Sequence, residues 1–92
     1  VRIRFKSLSD FLMIADEFDW VCVEVEKRSF SGPVGYITVA AVNKYGVLAY
    51  YREQRPLNMV FDKRVKEITR AVEEMAGRVL NCGIEFLITR EG

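Results

Sequence analysis

Between Val34 and Glu53 the chain reads VGYITVAAVNKYGVLAYYRE. Two runs rich in β-branched and aromatic residues flank Asn43-Lys44-Tyr45-Gly46. Such runs suit strands. The four residues between them suit a type I turn closed by a left-handed glycine, a common hairpin loop. A strand over Val34–Val42 thus returns over Val47–Glu53. That pairing sets Val42 opposite Leu48, Ala40 opposite Tyr50 and Thr38 opposite Arg52. Alternation then gives the hairpin two distinct faces.

Val1 to Phe5 alternates, with Arg2 and Arg4 opposite Val1, Ile3 and Phe5, as in a half-buried strand. Ser7 or Ser9 caps a first helix, whose apolar stripe is Leu8, Phe11, Leu12, Ala15 and Phe18. Trp20 to Arg28 alternates again, with Val21, Val23 and Val25 inward. Pro56-Leu57-Asn58 breaks the sheet. A second helix from about Val60 to Leu80 carries Val65, Ile68, Val72, Met75, Ala76 and Val79 on one face, and Asn81-Cys82-Gly83 stops it. Ile84, Phe86 and Ile88 alternate in a last strand. The order β-α-β-β-β-α-β in 92 residues predicts one α+β domain over residues 1–92. Its sheet is mostly antiparallel with both helices on one face, and a ferredoxin-like core with one extra strand is the nearest common plan.

Composition narrows the function. Half the residues are hydrophobic and 29% are charged, as in a globular chain. No apolar run approaches the ~20 residues of a membrane span, and no leader is legible, so a cytoplasmic setting is expected. Net charge is +1, so any electrostatic function needs local segregation of charge. Histidine is absent, which removes the usual general base and the commonest metal ligand. No serine or cysteine comes with a base, and no Asp-x-Asp spacing suggests a metal. No enzyme, cofactor or metal site is expected. Cys22 and Cys82 are read as reduced, with a single bridge as the alternative. Few Asn and Gln, and more Arg than Lys, hint at a thermophilic source.

The stretch Lys27 to Tyr36, KRSFSGPVGY, lacks the Gly-Lys-Ser/Thr of a phosphate loop, so on its own it is a strand connection. Topology adds to it. The hairpin brings the end of its second strand beside the start of its first. A right-handed β-α-β crossover makes the first two strands parallel. Lys6, Lys27, Arg28, Arg52, Arg55 and Arg90 then gather at one end with two helix N-termini, which favour anions. Glu26, Glu53 and Glu91 cancel part of that field, and Asp16, Glu17 and Asp19 mark the opposite end. The sheet face away from the helices displays Tyr36, Ala40, Val42, Leu48 and Tyr50. That is too apolar for a wet face and is expected to be a homodimer interface. Tyr36 and Tyr50 beside Arg52 also suit base stacking.

Asp62-Lys63-Arg64-Val65-Lys66 puts a basic cluster at the start of the second helix. With the order α-β-β-β-α, this resembles the double-stranded RNA-binding domain, whose last helix opens the same way. The resemblance implies nucleic-acid contact there. The chain departs from that family in its flanking strands, its acidic first helix and its lack of a histidine-containing hairpin loop. The expected function is a small, non-catalytic, homodimeric binding module whose basic end contacts phosphate-bearing partners such as nucleic acid. The alternative is an assembly subunit that uses the apolar sheet face and has no nucleic-acid role.

Overall fold

A computed structural model describes residues 1–28 and 33–77. The elements are β1 (Arg2–Arg4), α1 (Leu8–Leu12), a 3-10 turn (Ala15–Glu17), β2 (Trp20–Arg28), β3 (Val34–Val42), β4 (Leu48–Pro56) and α2 (Phe61–Ala76). The α+β class and the element order follow the sequence over this range. The last expected strand, Ile84 to Thr89, lies outside the described residues.

The hairpin forms in the expected register: Val42 faces Leu48, Ala40 faces Tyr50 and Thr38 faces Arg52. Asn43 fixes the turn locally. Its Oδ1 accepts from the Tyr45 and Val47 N–H groups, and Gly46 takes φ +86°. β2 pairs antiparallel with β3 over its whole length. β1 joins the free edge of β4 in parallel, with Leu48 N–H donating to Val1 O and Phe5 N–H to Tyr50 O. The described order is β1-β4-β3-β2. A ferredoxin-like plan puts its first strand inside the sheet, so it is not met among these strands. β1 and β2 nonetheless run the same way, as the crossover requires.

The helices cover one face. Phe11, Ala15, Phe61, Ile68 and Val72 pack on Val21, Ile37, Val39, Ala41 and Ala49. Ser7 caps α1, its Oγ accepting from Asp10 N–H. The first helix is shorter than expected. At Ile14 the bonding tightens to the carbonyl three residues back, and the chain passes into the 3-10 turn. Ala15 still reaches the core from that turn.

The second helix also ends early, at Ala76. Gly77 is its left-handed cap at φ +72°, and Gly77 N–H donates to Glu73 O. The apolar period continues past this glycine to Val79, so periodicity alone overruns the stop. Met75 is exposed rather than inward, while Ile68, Val72 and Ala76 hold the buried stripe. Val1, Ile3 and Val25, expected inward, are exposed at the sheet margins.

The second sheet face departs most from expectation. Cys22, Ala40, Val42 and Leu48 form a second buried cluster with Tyr50 packed against it. Ala40 is 0% exposed, and Val42 and Leu48 are 1% exposed, within the single chain. Three of the five residues expected at a homodimer interface therefore offer no surface to a second copy. Tyr36 and Tyr50 are half-buried. Cys22 is not a free thiol but is disulfide-bonded, and Cys82 lies outside the described residues.

Candidate anion site at the head of the second helix

Strand alternation splits the cations that the sequence brings to one end. On β4, Arg52 points to the outer face. There its Nη2 bonds Glu26 at 3.1 Å and its guanidinium lies 4.4 Å from the Tyr36 ring centre. Arg55 is three residues on and points to the helix side. Lys27 also points to that side, 3.9 Å from the Asp62 carboxylate and 5.7 Å from the Phe61 ring centre. Lys6 is exposed beyond β1, and Arg28 closes β2 opposite Val34. Arg90 and the loop residues Ser29 to Gly32 lie outside the described residues. Six cations were expected at one site. Lys27, beside Asp62 and Phe61, and Arg55, lining the cavity with Phe61, lie on the helix side near the head of α2, while Arg52 is across the sheet.

The organising residue is Glu53. Its side chain is only 7% exposed and both carboxylate oxygens are filled. Arg64 donates Nε to Oε2 at 2.9 Å and Nη2 to Oε1 at 2.8 Å, a bidentate fork. Arg55 Nε donates to Oε2 at 2.7 Å, and the Tyr51 hydroxyl donates to Oε1 at 2.8 Å. The Arg64 fork is the main reason the Glu53 carboxyl is lowered from 4.5 to about 2; burial opposes it, and the Arg55 and Tyr51 bonds reinforce it. Tyr51 is pushed up, first by burial and then by its bond to the Glu53 anion. The Arg64 guanidinium is held charged by the same carboxylate. One buried anion thus fixes two guanidinium groups, from a strand and a helix, side by side.

The sequence marks Glu53 only as an acid that offsets the basic end and Arg64 only as part of the basic opening of the second helix; it does not pair them or point to Tyr51, yet a signal for the pairing exists. Tyr51, Glu53 and Arg55 alternate with the outward Tyr50, Arg52 and Gln54. Arg64 stands four residues before Ile68 and eight before Val72, on the buried stripe of α2. A charge on an apolar stripe calls for a partner across the interface.

The head of α2 is set by close backbone packing. A Cβ on Gly35 would stand 2.5 Å from Phe61 Cζ and 2.8 Å from Leu57 Cδ2, so only glycine lets the helix start lie on β3. Asn58 turns the chain into the helix, its Oδ1 accepting from Val60 N–H at 3.0 Å. Val60 is the N-cap and provides no side-chain acceptor to the first turn.

Between this helix start and the end of β4 opens a cavity of about 380 Å³. Among the described residues, Arg55, Lys63 and Arg64 supply its cations, Glu67 and Asn58 its other polar groups, and Pro56, Val60 and Phe61 its apolar wall. A smaller hollow of about 280 Å³ lies by Arg4, Tyr36 and Arg52. No metal-binding cluster occurs among the described residues, and no described helix is long and apolar enough to cross a membrane. No family model matches this chain, nor does any curated protein or solved structure.

Proposed function

We propose that this domain is a small, non-catalytic module that holds phosphate groups of a nucleic acid at the head of its second helix. The observation that carries this reading is the Glu53 lock. It presents Arg55 and Arg64 at a concave site with Lys63 beside them. Rigid guanidinium groups suit phosphate oxygens better than free surface cations, because less conformational freedom is lost on binding. A first turn without a side-chain cap adds N–H groups and a favourable dipole. The same chemistry argues against catalysis. Glu53 is an anion saturated by donors and thus a poor base, and Tyr51 holds its proton more tightly than usual.

Assembly into a homodimer through the outer sheet face is the competing reading. Burial of Ala40, Val42 and Leu48 within one chain counts against it. The cytoplasmic setting drawn from the sequence must accommodate a disulfide at Cys22, which is rare there except in hyperthermophiles. A thermophilic source satisfies both.

The test is binding to fluorescent single- and double-stranded DNA and RNA across a salt series. Contact through Arg55, Lys63 and Arg64 predicts log K falling against log salt with a slope of roughly −2 to −3. Arg55→Ala combined with Lys63→Ala should abolish most of the binding and flatten that slope. Absence of binding at low salt overturns the reading. An apolar assembly surface predicts near-indifference to salt.

A further inference from the structure

The cations at the head of α2 converge on a cavity instead of forming a track. A strand backbone lying across a basic surface meets cations spaced along its path. Here Arg52 is on the opposite face, bonded to Glu26, and Lys27 lies beside Asp62. Arg55, Lys63 and Arg64 instead line one hollow of about 380 Å³, within the range of small-ligand pockets. Three cationic side chains around one hollow suit a single group with several anionic oxygens. A phosphomonoester offers three acceptor oxygens and close to two negative charges at neutral pH. An internal phosphodiester offers fewer free oxygens and a single charge. Asn58 adds an amide and Glu67 a carboxylate that offsets one of the three cations, and the rest of the wall is apolar. Pro56 and Val60 line it, and Met59 stands 97% exposed next in the chain to Val60. Such a rim suits the sugar and base attached to a phosphate, not a bare inorganic ion.

We infer that the cavity receives the terminal phosphomonoester of a nucleic-acid strand. Arg55, Arg64 and Lys63 take the phosphate oxygens, and the end nucleoside rests against Val60 and Pro56. The inference rests on the phosphate-binding reading above and narrows it to strand ends.

Three versions of one oligonucleotide test it: 5′-phosphorylated, 3′-phosphorylated, and hydroxyl at both ends. A nucleoside monophosphate serves as competitor. A phosphorylated end is expected to bind roughly tenfold tighter than the hydroxyl-ended strand, a difference of about 1.4 kcal/mol. Lys63→Ala, at an exposed position that leaves the core intact, should erase the preference with an unchanged circular dichroism spectrum. Arg55→Ala should do the same. Equal, salt-dependent binding of all three strands would overturn the terminal-phosphate inference while leaving backbone contact standing. Failure of all three to bind would overturn the underlying reading itself. A nucleoside monophosphate binding as tightly as the phosphorylated strand would overturn the strand as ligand.

Discussion

Glu53 carries opposite consequences for charge and for geometry. Replacing it with glutamine makes the head of α2 more positive, so charge alone predicts tighter phosphate binding. The carboxylate also holds Arg64 and Arg55 in place. If positioning dominates, Glu53→Gln weakens oligonucleotide binding, and Glu53→Asp restores part of it. Tighter binding by the Gln variant would show that the two arginines need no holding. The pH dependence follows from the same group. The folded carboxyl titrates at about 2, against 4.5 ordinarily. Ionised Glu53 therefore contributes roughly 3 kcal/mol that is fully present above its ordinary pKa and lost as pH falls through the folded one. Thermal melts should hold steady from neutral pH to about 5 and then fall steadily between about 4.5 and 2. The Gln variant should be less stable at neutral pH and lack most of that acid limb.

At the scale of elements, placement of α2 depends on Gly35 as much as on the apolar stripe. The Phe61 ring occupies the space a β-carbon would take. Gly35→Ala is expected to cost about 1–3 kcal/mol in urea unfolding, the usual range for overpacking. Phe61→Leu should recover part of that loss in the double variant, since a smaller side chain relieves the clash. Additive losses would mean that ring and strand do not meet as described. The local signals at this scale were legible. Asn43 and Gly46 set the hairpin register within a few residues of themselves, and Ser7 caps the first helix. The end of α2 was less legible. Gly77 carries the stop signal, but Val79 and Leu80 continue the apolar period beyond it. The left-handed backbone of a glycine ends the helix because it satisfies the last carbonyls.

Across the whole molecule, the sheet is buried on both faces in its central hairpin. β3 is buried at Ala40 and Val42 on one side and at Ile37, Val39 and Ala41 on the other. Leu48→Glu therefore tests the core and not an interface. It should cost roughly 3 kcal/mol or more, by burying an unpaired charge. Its unfolding midpoint should be the same at low and high protein concentration. A wild-type midpoint that rises with concentration, in a protein whose Leu48→Glu variant stays folded, would reinstate the outer face as a subunit interface.

The sequence by itself determined the α+β class, the element order from β1 through α2, the span of β2 and β3 and the hairpin register. Each depends on periodicity or turn chemistry acting over a few residues. It also brought Lys27 and Arg55 to one end, because strand direction follows from the hairpin and the crossover. Only the tertiary structure decided that Arg52 and Arg55 serve different faces of the sheet, and that β1 lies beside β4. It alone placed Arg64 opposite Glu53 and buried the outer apolar face within one chain. Periodicity says which way a side chain points, but a charge is held by whatever stands across from it. That partner belongs to another element, eleven residues away for Glu53 and Arg64.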